Sequence, residues 1–375
     1  MNESFRLPPL FRRVLARWLA RPRSPATRPT ARHTCIYKVD RLGDFVLALG
    51  ALHNLVDHHG AAECRLIVST AADPVAAAEF PDVPRWVIPA STSGVWRELR
   101  PLRMRVVEHW GMERFAELVC LRHAQNLHRD ASLGWVHAAA WRGLGARPTS
   151  DTLAICNRPV LANEYPAAAA LPWSRELLAH QLVIEQTTGK VAGWSDLRPT
   201  LRSVRATDGA AWVFCPFGGE DIRDYPEAHW ISAWSTAALP PGPVQLLGPR
   251  GRIADLNRLA ARLGAEAGRG DVTVATDLPT MEFIRRIAAA RGVVTVESAA
   301  AHLATALDKP AVIIIGGGHF GWFAPWGDGK RQRWVANELD CFGCNWICRY
   351  PTVRCLADLP AAVVGTALQT LNAHA

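Results

Sequence analysis

The stretch Arg291–Gly318, RGVVTVESAAAHLATALDKPAVIIIGGG, decides the fold that the sequence predicts. Val293–Val296 is a short apolar run typical of a buried strand, and Pro310–Ile315 is a second one. The segment between them, Ala299–Leu307, has the composition of a helix. Two strands joined by a helix through short connections indicate a parallel sheet with a right-handed crossover.

Polar residues follow the first of these strands, at the sheet edge where parallel α/β proteins bind ligands. Glu297 and Ser298 end the strand, and Gly316–Gly318 follow the second strand. Ser298 is a natural N-cap of the helix, whatever else it does. His302, one turn further on, would by itself be more typical of a packed core histidine. Together with its polar neighbours at one sheet edge, it favours a site.

Residues 297–304, ESAAAHLA, resemble the D-[ST]-G-x-x-H-L-A signature of glycosyltransferase family 9, the heptosyltransferases of bacterial lipopolysaccharide assembly and their relatives. The resemblance runs from about Cys35 to the C-terminus. Glu297 stands where the family has Asp, and Ala299 stands where it has Gly. Glu297 keeps a carboxylate for sugar or ribose hydroxyls, with a longer reach. The resemblance implies that the nucleotide-sugar donor is bound by Glu297, Ser298, Ala299 and His302.

Residues 41–45, RLGDF, resemble a second motif of the same family, R-[LI]-G-D-[FV]. The segment follows a strand predicted at Thr34–Lys38 and contains Arg41, Gly43 and Asp44. Gly43 is expected to permit a tight turn at the strand end. Taken alone, Asp44 would be an N-cap or a first-turn carboxylate that balances the helix dipole. The resemblance implies instead that Asp44 is the catalytic base and that Arg41 and Gly43 lie on the acceptor side.

A third segment, Pro216–Pro226, resembles the phosphate loop of the family, which is a small-residue pair followed by K-x-W-P. Gly218 and Gly219 match the small pair, Arg223 matches the Lys, and Tyr225 stands in place of the Trp. A Gly-Gly pair by itself is most often an ordinary turn. After a buried strand and ahead of R-x-Y-P, it predicts backbone N–H groups and one cation for a diphosphate. The resemblance also predicts that Trp230 packs inward.

Alternating strands and helices along the whole chain predict an α/β fold with two Rossmann-like, doubly wound domains facing across a cleft, the GT-B arrangement. The predicted division is a basic extension at 1–33, an acceptor domain at 34–205 and a nucleotide-sugar domain at 206–375. Strands are expected at Arg65–Val68, Arg85–Ile88 and Leu118–Leu121 in the first half. Helices are expected there near 95–107, 132–144 and 173–188.

The net charge of +8 is concentrated at the N-terminus. Residues 1–32 carry eight arginines, one glutamate and no lysine, and the rest of the chain is close to neutral. This distribution argues against a nucleic-acid-binding surface. Phe11–Ala20 has apolar residues at helical spacing and arginines on the other face, which suits an anionic membrane surface. A partly disordered extension, or a helix docked on the body, explains the pattern equally well.

Four of the nine cysteines crowd into residues 341–355 with the spacing C-x2-C-x3-C-x6-C. Four thiols so close together can hold a structural zinc or iron, and free or oxidised cysteines are the alternative. The residues concerned are Cys341, Cys344, Cys348 and Cys355. A second local feature is the aromatic loop His319–Trp326, whose rings either stack on a base or sugar, or simply pack.

The sequence therefore predicts an inverting glycosyltransferase that moves a heptose-like sugar from a nucleotide diphosphate, such as an ADP-heptose, to a hydroxyl of a glycolipid, lipopolysaccharide or other glycan. No D-x-D motif occurs, which agrees with catalysis that requires no cofactor. No secretory signal or membrane-spanning run is present, so we expect a cytoplasmic protein, peripheral on the inner face of the membrane through residues 1–32. A non-catalytic binding or assembly protein on the same fold is the alternative, because Arg223, Glu297 and Ala299 depart from the family pattern.

Overall fold

The computed structural model describes residues 32–88, 113–123, 132–133, 136–145, 172–237, 239, 242–327 and 329–373. The described residues fall into two compact units. Unit 1 holds those within Met1–Arg41, Ala51–Pro166 and Ala179–Leu197, and unit 2 holds those within Leu42–Gly50, Ala167–Leu178 and Arg198–Ala375. None of the described helices is long and apolar enough to cross a membrane.

The first half of the chain contains, in order, β1 (His33–Lys38), α1 (Leu42–Leu47), α2 (Leu49–His59), β2 (Cys64–Ser69), α3 (Asp73–Glu79), β3 (Arg85–Ile88), β4 (Arg114–Cys120), β5 (His137–Arg142), α4 (Arg175–Thr188) and α5 (Trp194–Leu197). The five strands form a parallel sheet in the order β3-β2-β1-β4-β5. The chain thus starts in the middle of the sheet and winds outwards in both directions, as in doubly wound folds.

The second half contains β6 (Trp212–Cys215), α6 (Glu227–Ala237), β7 (Val244–Gly248), α7 (Ile253–Glu266), β8 (Val272–Thr276), α8 (Thr280–Ala288), β9 (Gly292–Val296), α9 (Ala299–Ala306), β10 (Ala311–Ile314), β11 (Gln332–Val335), α10 (Arg354–Ala357) and α11 (Ala361–Ala373). Its six strands are also parallel, in the order β11-β10-β9-β6-β7-β8. The predicted strand–helix–strand unit around residue 297 is confirmed as β9, α9 and β10.

The largest hydrophobic cluster of unit 2 covers one face of this sheet. Trp212 and Phe214 of β6 point from the sheet into a cluster with Trp230 and Trp234 of α6. The rings of Phe214 and Trp230 meet edge-on with centroids 4.8 Å apart, a favoured aromatic geometry. Trp230 is fully buried, so the prediction that it packs inward is confirmed.

One predicted helix is wrong. Residues 132–144 were expected to be helical because the segment is rich in alanine, a strong helix former. The structure has strand β5 there, with Ala138 paired to Phe115 and Trp141 to Leu118 of β4. Pairing with an already formed sheet edge overrides local propensity. The helix expected near 95–107 lies outside the described residues, as does the basic segment 1–31.

The sheet of unit 2 changes winding direction between β9 and β6, which are neighbours. In open parallel sheets, ligands bind at such a switch point, beyond the carboxyl ends of the two strands. The loop after β6 and the start of α9 after β9 therefore frame the expected binding crevice of this unit. These are the two segments that carry the donor motifs.

Candidate donor-binding site

A cavity of about 330 Å³ opens at this switch point of unit 2. Gly218 and Gly219 line it from the loop after β6, and Ser298 and Ala299 line it from the start of α9. Apolar residues also line it, including Leu247, Pro249, Leu278 and Phe283. Bare backbone and apolar side chains together suit a ligand that has a charged group and a flat ring system.

The loop after β6 brings Arg223 next to the glycine pair. A Cβ placed on Gly218 would lie 3.5 Å from both Arg223 Cδ and the backbone oxygen of Glu297. The Arg223 side chain is mostly buried, with 13% of its surface exposed. Its Nε–H is buried and has no hydrogen-bond partner in the described part of the chain. The predicted neighbours Gly218, Arg223 and Glu297 are thus brought together.

Arg252 anchors this loop, although no sequence motif predicts that role. Its guanidinium pairs with Asp221 at 3.0 Å and Asp224 at 2.6 Å within the loop, and with Asp255 of α7 at 2.6 Å. It also stacks on Phe217, 3.8 Å from the ring centroid. These contacts bind the loop to the start of α7. The loop residues lie about thirty positions before Arg252 in the sequence, so no local pattern shows their contacts with it.

Tyr225, which takes the place of a tryptophan in the family motif, fixes the end of the same loop. It is buried, and its hydroxyl donates to the backbone oxygen of Leu359 at 3.0 Å. Its ring meets Trp230 edge-on at 5.0 Å. The substitution therefore keeps an aromatic side chain in the core.

Ser298 is the N-cap of α9, as predicted. Its hydroxyl accepts from the backbone N–H of Ala300 at 3.2 Å. Ser298, Ala299 and Ala300 line the cavity, so the N-terminus of α9 lies at its wall. The partial positive charge of a helix N-terminus favours an anion there.

Glu297 is buried, and one of its two oxygens is held by a histidine. His319 Nδ1 donates to Glu297 Oε1 at 2.8 Å. Oε2 is buried and has no hydrogen-bond partner among the described residues. Burial alone would raise the pKa of Glu297, but the hydrogen bond and charge of His319 outweigh it and hold the pKa below its ordinary value. Glu297 is therefore an ionised carboxylate whose second oxygen has no partner among the described residues.

His302 is neutral, and its tautomer is fixed. Trp326 Nε1 donates to His302 Nδ1 at 2.9 Å, so the ring proton must be on Nε2. Burial, only partly offset by Glu297, lowers the pKa of His302 to about 4. His302 is thus a hydrogen-bond donor at neutral pH and not a cation.

Helix α1 packs against α9 within unit 2 and carries Asp44 in its first turn. The contact requires Gly43, because a Cβ there would lie 3.0 Å from His302 Cδ2 and 3.4 Å from Ala299 Cα. Gly43 is helical, so the turn expected at this position is wrong and close packing is the reason for the glycine. Asp44 is partly exposed beside this contact, and Arg41 immediately precedes the helix and is exposed.

The rings of the aromatic loop have partners within the protein. Trp326 is buried and stacked with His302, and Phe323 packs edge-on against His319. Phe320 packs against Phe342. Of the two alternatives for this loop, the described contacts favour packing.

The four clustered cysteines form no disulfide bond with any of the described residues. Cys355 is buried, and burial raises its pKa. In the part of the chain that the structure describes, these four sulfurs do not form a group of three or more within 4.8 Å of one another. The structural metal therefore stays a prediction.

The fold and this site define a glycosyltransferase. The family model of glycosyltransferase family 9 (heptosyltransferase) matches residues 160–345, which confirms the resemblance seen in the motifs. The chain is thus a glycosyltransferase, and the heptosyltransferase family model matches just under half of its length. No curated protein matches the chain by sequence.

Solved structures share the fold at low sequence identity. The E. coli heptosyltransferase WaaC with ADP-2-deoxy-2-fluoro heptose is 18% identical, with a TM-score of 0.63, and the match covers 90% of this chain and 99% of that one. E. coli ADP-heptose lipopolysaccharide heptosyltransferase II is 17% identical, with a TM-score of 0.61, covering 91% and 99%. The dodecameric iron-containing heptosyltransferase TibC in complex with ADP-D-beta-D-heptose is 13% identical, with a TM-score of 0.52, covering 93% and 78%.

Proposed function

We propose that the protein transfers a heptose-like sugar from a nucleoside diphosphate to a hydroxyl of a glycolipid or other glycan, with inversion at the anomeric carbon. The observation that carries this proposal is the crevice between β6 and β9. There the glycine pair and the start of α9 line one cavity. Arg223 and Glu297 lie directly behind Gly218, and the buried Nε–H of Arg223 and Oε2 of Glu297 have no hydrogen-bond partner among the described residues. Among the similar structures, WaaC holds an ADP-linked heptose analogue, which supports an ADP-linked donor for this chain as well.

In this mechanism the diphosphate lies against the backbone of Gly218 and Gly219, with Arg223 beside it and the N-terminus of α9 opposite. The ionised Glu297 accepts a hydrogen bond from a sugar or ribose hydroxyl through Oε2. His302 donates from Nε2. Each group is already in the charge state that its role requires.

Asp44 acts as the general base. The acceptor hydroxyl attacks the anomeric carbon, its proton passes to the Asp44 carboxylate, and the bond from carbon to the diphosphate oxygen breaks. The negative charge that develops on the leaving diphosphate is stabilised by Arg223, the loop amides and the helix N-terminus. These groups neutralise the charge without a bound metal. The acceptor would be presented by a membrane to which the basic segment 1–32 binds.

Product analysis tests the proposal. The protein is incubated with ADP-, UDP- and GDP-linked sugars and a glycolipid acceptor, and the acceptor mass and free nucleoside diphosphate are measured. We expect the acceptor to gain one sugar for each diphosphate released, and slow donor hydrolysis without acceptor. Binding of a nucleotide sugar with neither release nor transfer would instead identify the non-catalytic binding protein.

A further inference from the structure

Gly316–Gly318 line no ligand surface, because they are covered by aromatic rings from the cysteine loop, residues 341–355. A Cβ on Gly316 would lie 2.5 Å from Trp346 Cη2, and one on Gly318 would come closer still to the same indole. Gly317 is covered in the same way by Phe342. None of the three has a positive φ. These positions therefore need glycine to admit the rings and not to form a turn.

Backbone hydrogen bonds hold the cysteine loop on this glycine surface. Gly343 N donates to Gly317 O at 2.7 Å, and Asn345 N donates to Gly318 O at 3.0 Å. Trp346 itself has a φ of 61°, in the left-handed region that bulky side chains avoid. A conformation of this kind persists only where the surrounding structure enforces it, and such conformations cluster at functional sites.

The indole that is placed in this way touches two components of the donor site. Arg223 Cζ lies 5.7 Å from the centre of the Trp346 ring, within the range of a cation–π contact. The His319 ring meets the same indole edge-on, with centroids 5.8 Å apart. His319 in turn binds Glu297 Oε1. Trp346 therefore contacts both Arg223 and His319, the histidine that binds the Glu297 carboxylate.

We propose that Trp346 is a positioning residue of the donor site, which makes the cysteine loop a part of that site. It fixes the Arg223 guanidinium and, through His319, the Glu297 carboxylate in the geometry that a nucleoside diphosphate requires. A free arginine side chain has many rotamers, so fixing it on binding costs conformational entropy. If the side chain is ordered before the ligand binds, this entropy cost no longer reduces the affinity. This inference rests on the proposed function, since it assumes that Arg223 contacts the diphosphate.

Calorimetric titration with ADP and with AMP tests the role, because AMP lacks the second phosphate. For Trp346→Leu we expect ADP affinity to fall about tenfold, the scale of a partly buried cation–π contact. AMP affinity should change less than about twofold, and Trp346→Phe, which keeps a ring, should recover most of the loss. Phe342→Leu is the matched control: it removes a ring from the same loop that contacts Gly317 and Phe320. Its ADP affinity should match the wild type.

A double-mutant cycle with Arg223→Ala separates positioning from general damage to the fold. If Trp346 acts through Arg223, adding Trp346→Leu to Arg223→Ala should weaken ADP binding little further. Three results would each overturn the inference. The first is a double mutant whose loss of ADP affinity is the product of the two single-mutant losses. The others are equal losses of ADP and AMP affinity in Trp346→Leu, or wild-type ADP affinity in that variant. If Trp346→Leu does not unfold cooperatively, Trp346→Met, which also removes the ring, takes its place and must weaken ADP binding more than AMP binding.

The same experiment distinguishes this inference from the proposed function. A wild-type protein that binds no nucleoside diphosphate, or an Arg223→Ala variant with unchanged ADP affinity, contradicts the proposed function itself. Normal wild-type binding, a strong effect of Arg223→Ala and no effect of Trp346→Leu contradict only the role of Trp346.

Discussion

Charge at the donor site is set residue by residue. Glu297 is held ionised by His319, and His302 is held neutral by burial and by the N–H of Trp326. The two residues are five positions apart, on either side of Ser298, the N-cap of α9. Because their charges are fixed separately, one accepts and the other donates a hydrogen bond over the whole neutral pH range.

The base assigned to Asp44 is tested by Asp44→Asn. The amide keeps the shape of the side chain but takes no proton, so we expect turnover to fall by about two to four orders of magnitude. Donor affinity should barely change. Asp57→Asn, an exposed carboxylate on the next helix, is the control and should retain full turnover. Near-normal turnover of Asp44→Asn would remove Asp44 from the mechanism.

The neutral state of His302 has a consequence for stability. Its folded pKa of about 4 lies below the ordinary value of 6.5, so the unfolded chain takes up a proton first as the pH falls. The free energy of unfolding should therefore decrease by about 3 kcal/mol between pH 6.5 and 4 through this residue. Urea unfolding of the wild type and His302→Asn over this range measures it. The contributions of Glu297, Arg223 and His319 remain in both proteins.

If the free energy of unfolding depended on pH equally in the wild type and in His302→Asn, His302 would be charged or exposed in the folded state. Glu297 acts in a different window, since its lowered pKa adds stability that is lost only as the pH falls through and below its ordinary 4.5. The two effects are therefore separable.

Sequence motifs predicted the residues that are brought together in the donor site, but not the residues that hold them there. Gly218, Arg223 and Glu297 could be found because each follows a recognisable strand and matches a family motif. Arg252 and Trp346 could not, because their partners lie far away in sequence and no period or spacing marks them. Long-range support of this kind becomes visible only in the folded chain.

At the scale of elements, α1, α9 and the cysteine loop are packed around glycines whose role is close approach. Gly43 admits His302, and Gly316 and Gly318 admit Trp346. The sequence identified these glycines as turn or ligand-edge residues, since local patterns cannot tell a turn from a packing contact. Strand β5 illustrates the same limit, because its alanines favour a helix and only pairing with β4 makes it a strand.

Packing at Gly318 is tested by Gly318→Ala. The added methyl group must displace the Trp346 indole, so we expect the free energy of unfolding to fall by about 1–3 kcal/mol. Gly251→Ala is the matched control, because nothing lies within 4 Å of its Cβ. It should change stability by less than about 0.5 kcal/mol. Chemical denaturation measures both, and equal stability of the two variants would mean that the cysteine loop does not cover the glycines.

At the scale of the whole molecule, both sheets were predicted as parallel α/β layers and both are found, because alternating buried strands and helices allow little else. The described residues place the candidate donor site in unit 2. The basic segment was predicted from charge and periodicity, and its membrane role stays a prediction. A facing arrangement of the two domains likewise stays a prediction.

Removal of residues 1–32 tests the membrane role. With seven net positive charges and an amphipathic segment deleted, we expect loss of binding to vesicles that contain anionic lipid, while transfer to a soluble acceptor is retained. Vesicle flotation at moderate salt measures the first, and the product assay measures the second. Equal flotation of both forms would favour the docked or disordered alternative.

The central claim is that the crevice between β6 and β9 binds a nucleoside diphosphate through Arg223, and one calorimetric titration with ADP tests it most directly. The account predicts one ADP bound per wild-type chain and a loss of about 2 kcal/mol in Arg223→Ala, the scale of a charge-assisted hydrogen bond. Arg286→Ala, which removes an arginine paired with Glu282 on α8, should bind like the wild type. Equal ADP affinity in the wild type and Arg223→Ala would contradict the account.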